Sequence, residues 1–324
     1  MITNCNKAIG IDISKSSVKA VCVDENNVMD TYGIEDLPTN SGDTEVILAL
    51  KKILSSDCYN CDVVIGLRGL DVLTKHVLLP QIDSAEEMEA KVEEEMKDLL
   101  PVDRSEVQLS WEVLTQTDDK IGAVLIAVPN KVIERYRRLV DGVGLNIRSL
   151  EVNALSIKRS LEEEIKGSTM IVDIHADETD IEYYNNGSLL VDKTVSIGGF
   201  NITRQISRKI NISIEEAEAK KRAGIQSENE FDEMYKMTAD DIISEVVKVI
   251  SIMEIEHGEK PAEILLTGGD FNSKEFEQYF IEKLSDVCST RVVVPRGILT
   301  SDNIDKSLSD KYRLTNALGL ALKK

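Results

Sequence analysis

Two stretches of the chain, residues 8–19 (AIGIDISKSSVK) and 169–180 (TMIVDIHADETD), are built to one pattern. Each runs as an apolar strand into Asp-Ile, crosses a short polar turn, and reaches a Ser or Thr that opens a second strand. The same unit in each half of a 324-residue chain predicts two related α/β domains facing one another. The length agrees, because a domain takes about 150 residues as a soft prior. No short-period repeat of the solenoid kind is present in the sequence.

Further elements follow from apolar spacing. Short apolar runs at 7–13, 17–23, 63–67, 121–128, 169–174, 189–197, 263–267 and 291–294 read as strands. Ala85, Met88, Val92, Met96 and Leu99 recur at steps of three and four, which predicts one helical face over 84–100. Ser84 with Glu87 has capping-box spacing, and Pro101 stops the helix. Ser213 with Glu216 marks a second helix start, with Gly224 as its C-terminal glycine. Thr238 with Asp241 marks a third, whose apolar face is Ile242, Val246, Val249, Ile250 and Met253. Strands alternating with helices give an α/β class.

Composition narrows the partners. Lys+Arg 38 against Asp+Glu 58 leaves a net charge of −20, which repels phosphate backbones and anionic lipid headgroups. Neither nucleic acid nor a membrane surface is therefore an expected direct partner. The five cysteines are odd and sparse, which does not suit a disulfide framework, and Cys58-x-x-Cys61 lacks a second pair for zinc. Those two are read as thiols. The start, MITNCNKAIG, has no apolar signal core, and no window approaches 18 apolar residues. The expectation is a cytosolic protein unless a partner holds it elsewhere.

An Asp at a strand end followed by a tight hairpin is how actin-like ATPases hold nucleotide phosphates, through hairpin N–H groups and water-mediated Mg²⁺. Within that superfamily the sequence resembles the PilM family of type IV pilus assembly, relatives of the division protein FtsA. Gly10-Ile-Asp-Ile-Ser-Lys-Ser-Ser-Val-Lys19 aligns with the family's first phosphate hairpin, G-x-D-I-G-S-S-S-V-K. Residues 84–102 resemble its acidic helix ending in Leu-Pro, and 126–159 follow the family's order. Asp173-Ile-His-Ala-Asp-Glu-Thr179 resembles the second hairpin, D-I-G-A-x-x-T. Gly198-Gly199 with Thr203, then the run from Ile212 to Lys221, resemble GG-x-x-x-T and A-E-x-x-K. Leu265-Leu-Thr-Gly-Gly269 resembles the adenosine motif, and Asn316 to Lys323 the last helix.

The resemblance implies an actin-like (ribonuclease H-like) two-domain α/β fold with an FtsA-type insertion. Residues 1–82 and 150–165 would form the first subdomain and 83–149 the inserted one. Residues 166–200 and 258–324 would form the second large subdomain, and 201–257 its helical companion. Nucleotide would lie in the cleft between the halves. The implied nucleotide-binding residues are Asp12, Ser14, Lys15, Ser16, Lys19, Asp173, His175, Thr179, Gly198, Gly199, Glu218, Lys221, Gly268 and Gly269. Asp12 and Asp173 would hold Mg²⁺ through water. Both hairpins depart from the family where it has glycine, at Ser14 and at His175. Glycine there lets backbone approach a phosphate closely. Ser14 can still donate through its hydroxyl. The His175 imidazole would project toward the phosphates, as a phosphate contact or as a side chain that closes the cleft. Weakened or absent Mg·ATP binding is the favoured expectation. No distinctive Gln or Glu motif positions a water for hydrolysis, although Glu178 lies in the second hairpin, so catalytic residues are left unassigned.

By resemblance, the leading function is a cytoplasmic scaffold of the pilus machine, peripheral to the inner membrane. It would bind the N-terminal tail of a PilN-like inner-membrane protein near the inserted region 83–149. It would also sit near the assembly ATPase and the platform protein. An FtsA-like filament-former, self-associating with nucleotide, is the nearer alternative. The membrane helix expected of FtsA is not seen after Lys323-Lys324. A small-molecule kinase of the same superfamily is the other alternative.

Overall fold

The first apolar run folds straight back on itself. β1 (Ala8–Ile13) pairs antiparallel with β2 (Ser17–Val23), and β3 (Met29–Asp36) adds antiparallel to β2. After α1 (Asp43–Ile53), β4 (Asp62–Leu67) joins parallel to β1 on its other side. The structure, a computed structural model, describes residues 8–54, 58, 61–68, 72–223, 229–299 and 309–323.

The chain then leaves this sheet. β5 (Leu73–Pro80), α2 (Ala85–Met96), β6 (Val107–Gln116) and β7 (Lys120–Pro129) build a separate antiparallel sheet of order β5-β7-β6. One face of α2 drives its attachment: Met88, Val92 and Met96, four residues apart, are buried against Leu79, Ile121 and Leu125. α3 (Asn130–Asp141) brings the chain back, and β8 (Asn146–Val152) completes the first sheet as β3-β2-β1-β4-β8.

The second half repeats the plan. After α4 (Asn153–Ser160), β9 (Ser168–Ile174), β10 (Thr179–Asn185) and β11 (Ser188–Val195) form an antiparallel meander. Three helices follow: α5 (Gly199–Ile210), α6 (Ile214–Arg222) and α7 (Asn229–His257). β12 (Glu263–Thr267), α8 (Lys274–Ser285) and β13 (Ser289–Val292) then add two parallel strands beside β9. The resulting order, β11-β10-β9-β12-β13, matches the first sheet strand for strand and sense for sense. The short α9 (Arg296–Leu299) and α10 (Thr315–Ala321) close the chain.

α10 crosses back onto β1, β2, β4 and α4. The crossing is close because glycines line it. A Cβ on Gly319 would lie 1.8 Å from the Ser156 carbonyl, and one on Gly10 would lie 2.1 Å from that of Ala317. α4 also packs its Ala154 and Ile157, with Leu161 just past its end, against Ile171, Tyr184 and Leu265 of the second half. It thereby joins the two halves.

Several local expectations shift. α2 ends at Met96, so Leu99 lies beyond it and is exposed, as is Ala85. The helix expected to start at Thr238 begins at Asn229, and Thr238 is a buried residue accepting from Gln205 Nε2 at 3.1 Å. Ser213 and Glu216 do form a reciprocal capping box, at 3.1 and 3.0 Å. Gly224 and residue 7 of the first run lie outside the described residues. Cys61 is disulfide-bonded rather than a thiol, while Cys58 Sγ lies 3.6 Å from Cys22 Sγ in the first core. Among the described residues, no helix is long and apolar enough to cross a membrane.

Candidate functional site

The two Asp-ended hairpins face each other across the cleft between the halves. In the first, antiparallel register sets Asp12 opposite Lys19, and the Lys19 ammonium reaches the Asp12 carboxylate at 2.6 Å with both side chains buried. Ser14 turns inward. Its N–H donates to the Ser17 carbonyl at 2.9 Å, and its hydroxyl lies 3.0 Å from that same oxygen while accepting from the Ser17 N–H. The hydroxyl that could serve a phosphate is therefore engaged within its own turn, with Ser16 Oγ 3.4 Å away.

In the second hairpin Asp173 stands opposite Asp180. His175 Nε2 sits between them, 3.3 Å from Asp173 and 3.2 Å from Asp180. Burial works against a charged imidazole, yet Asp173 and the Asp180 hydrogen bond outweigh it and push His175 up to about 9. The imidazolium thus supplies positive charge beside Asp173. Burial raises Asp173 itself above the usual carboxylate range. For Asp12, burial is outweighed by Lys19, Arg68 and His175, which hold its carboxyl well below that range.

The glycines act as packing contacts with this second hairpin. The Gly199 N–H donates to the His175 carbonyl at 3.0 Å, and a Cβ on Gly198 would meet that oxygen at 2.4 Å. The start of α5 is thereby docked onto the turn, and the Thr179 hydroxyl adds a bond to the Ile197 carbonyl at 2.7 Å. Gly268, at φ 115°, lets the end of β12 approach the Ile174 carbonyl, 2.1 Å from where a Cβ would stand. Gly269 lies against the Arg313 stem. On α6, Lys221 is buried, 2.8 Å from Asp270, 3.2 Å from Glu218 and 3.2 Å from the Gly199 carbonyl. Glu218 accepts from the Thr203 hydroxyl at 2.5 Å and from Arg222 at 2.8 Å.

Apart from Lys15, sequence reasoning missed the basic residues that bridge the halves. Arg68, just past β4, is 7% exposed at its side chain and lies 2.5 Å from Glu178, 3.5 Å from Asp177 and 3.9 Å from Asp12. Lys15 at the first turn meets Asp177 at the second, at 3.3 Å. At the cleft mouth, Asp36 at the end of β3 pairs with Arg222 and with Arg313, the latter at 2.5 Å. Thr39 donates to Glu215 at 3.0 Å. One signal for Arg68 was available: a lone basic residue after the apolar run VVIGL, at the carboxyl edge of a parallel strand, where α/β sheets place ligand contacts. Asp177 and Glu178, two of the carboxylates it meets, lie over 100 residues away in the chain.

The site therefore brings together Asp12, Lys15, Lys19, Asp173 and His175, and separately Gly199, Glu218, Lys221 with Asp270. Each cation in it stands at ion-pair distance from a carboxylate. The Type IV pilus assembly protein PilM family model matches residues 10–324. The chain belongs to that PilM family. A solved PilM-PilN type IV pilus biogenesis complex superposes with a TM-score of 0.84 at 20% identity, covering 97% of this chain and 97% of that one. The ethanolamine utilization protein EutJ from Carboxydothermus hydrogenoformans gives 0.60 at 13% identity, over 98% and 89%. A Bacteroides thetaiotaomicron VPI-5482 protein with actin-like ATPase fold gives 0.51 at 10% identity, over 90% and 91%. These likenesses establish the actin-like two-domain fold that the sequence implied. The cell division protein FtsA of Bacillus subtilis (strain 168) is 30% identical over 125 residues, 37% of this PilM-family chain and 28% of that protein's length.

Proposed function

We propose that this PilM-family chain is a scaffold of type IV pilus assembly on the cytoplasmic side of the inner membrane. It captures the N-terminal tail of a PilN-like inner-membrane protein and is held at the membrane through it. The family match over residues 10–324 carries the reading. The fold likeness to a chain solved in a PilM-PilN complex supports it. The sheet β5-β7-β6 with α2 is the inserted subdomain in this reading, and the tail lies between it and the first large sheet. Exposed apolar side chains in that region, Leu78, Leu99, Val102 and Val113, suit an extended peptide with alternate apolar anchors. The assembly ATPase and the platform protein are the further neighbours.

The cleft between the halves is read as a nucleotide site that has lost its ligand. A Mg²⁺ held through Asp12 and Asp173 would compete with Lys19 and His175 for the same carboxylates. Glu178, the nearest candidate for positioning a water, is engaged by Arg68. Calorimetric titration with a PilN-like N-terminal peptide and, separately, with Mg·ATP tests both halves of the proposal. A peptide signal without an ATP signal is expected. Absence of any peptide signal would sink the scaffold reading, and tight ATP binding would sink the reading of the cleft.

A further inference from the structure

Arg68 is an unusual arginine. It is buried, yet neither Nη1 nor Nη2 has a partner in hydrogen-bond geometry, and the same holds for Asp12 Oδ1, Asp177 Oδ1 and Glu178 Oε1 around it. A buried guanidinium whose hydrogen bonds are unmade is costly. It is retained where the surrounding carboxylates would cost more without it. Those carboxylates come from both halves: Asp12 from the first hairpin, Asp177 and Glu178 from the second. Arg68 itself extends from the carboxyl edge of β4, between the two turns. A cation in that place does the electrostatic work that a metal-bound ligand shared by both hairpins would otherwise do.

We propose that Arg68 is an interdomain clasp, a built-in cation that draws the two hairpins together and keeps the cleft shut without any bound ligand. This goes beyond the scaffold reading, because it assigns a residue and a closed resting state and does not depend on the partner tail. Three ion-pair bridges across the cleft can be ranked by their surroundings, and in the Lys15–Asp177 pair the lysine is 79% exposed at its side chain, so that pair is screened. Asp36 and Arg222 at the mouth are 45% and 44% exposed at their side chains, so water screens them and their pairing contributes little. Arg68 and Glu178 are 7% and 2% exposed, so removing one partner leaves an uncompensated buried charge. The buried floor, not the mouth, holds the halves. α4, packed on β4 and β8 of the first sheet and on β9, β10 and β12 of the second, offers the pivot.

Hydrogen exchange on the full-length protein reads this directly. The reporter amides are Ser14, bonded to the Ser17 carbonyl, His175, bonded to that of Glu178, and Gly199, bonded to that of His175. Arg68→Ala should speed exchange at all three by about thirty-fold or more, while Asp36→Asn changes it by less than about three-fold. Arg68→Lys, which keeps the charge, should recover most of the protection. Amides of the β5-β7-β6 sheet act as the internal control and should exchange as in the parent. If Arg68→Ala proves insoluble, Glu178→Gln removes the other end of the clasp and should give the same pattern. Reporter amides as protected in both variants as in the parent would overturn the proposal. So would loss of protection spread equally over the third sheet, which marks general destabilisation. PilN-like peptide binding should persist in Arg68→Ala, so failure of the clasp and failure of the scaffold reading remain distinguishable.

Discussion

His175 stands where the resembling hairpins have glycine, and its geometry explains how the chain tolerates that change. The turn keeps its backbone bond from His175 N–H to the Glu178 carbonyl, while the ring folds down between Asp173 and Asp180. A third carboxylate lies nearby on β11. Asp192 faces Glu182 across the strand pair and lies 3.4 Å from the Thr74 hydroxyl of the third sheet, and burial, with Asp180 adding, pushes its carboxyl up to about 7. An acid raised in the folded state binds its proton there while the unfolded chain has already lost it. Asp192 therefore makes stability fall as pH rises from about 4 to 7. His175 acts in the same sense at higher pH: its contribution is complete below its ordinary value and is lost as pH climbs through about 9. Asp192→Asn should flatten the lower limb and leave the variant more stable than the parent at about pH 8, read from urea midpoints over a pH series. A parent whose midpoint rises from pH 5 to pH 7 would contradict this for Asp192. Backbone tolerance is tested at Gly268. At φ 115°, with the Ile174 carbonyl 2.1 Å from a Cβ, Gly268→Ala should cost at least about 1–3 kcal/mol in urea unfolding.

At the scale of elements, legibility followed continuity of burial. β1, β2, β4, β9 and β12 are buried almost throughout, so they appear in the sequence as apolar runs, interrupted inside β1, β2 and β9 by the single charged residues Asp12, Lys19 and Asp173. β3, β5 and β6 lie at sheet edges with mixed exposure, and runs such as MDTYGIED and VQLSWEVLTQ show no such block. Their pairing partners decide them, which a local window does not see. α2 was legible by its stripe but not by its end: Lys97 to Leu99 lie exposed past Met96, and Leu100 packs back against the third-sheet core outside the helix. The site divides in the same way. The two hairpins and the glycine pairs were visible as local motifs, whereas Arg68, Asp36 and Arg313 matter only through contacts across the cleft. The stripe on α2 gives an element-scale prediction. Met96 is fully buried between helix and sheet, so Met96→Ala should cost about 2–5 kcal/mol. If the third sheet forms one wall of the tail site, the same variant should weaken PilN-like peptide binding while leaving the hairpin amides protected. Peptide binding unchanged at full loss of α2 protection would move the tail site elsewhere.

At the scale of the whole molecule, two sheets of identical order stand joined by α4 and α10 beneath and by ion pairs above. Such a cleft closes either on a ligand or on itself, and the two cases differ thermodynamically. A ligand that binds only the folded state adds RT ln(1 + [L]/Kd), so a site with a Kd of about 10 μM in about 1 mM Mg·ATP would gain about 2.7 kcal/mol. For a chain of this size that corresponds to a rise in melting temperature of roughly 4 °C. On the proposed reading, a cleft whose carboxylates are already matched by Lys19, His175 and Arg68 offers no such gain, since binding must first break those pairs. The melting temperature with Mg·ATP should therefore stay within about 1 °C of that without it. On the scaffold reading, the PilN-like peptide should raise it. A rise with Mg·ATP as large as that with the peptide would mean that the ion pairs yield to nucleotide, and the molecule would then be a ligand-gated scaffold.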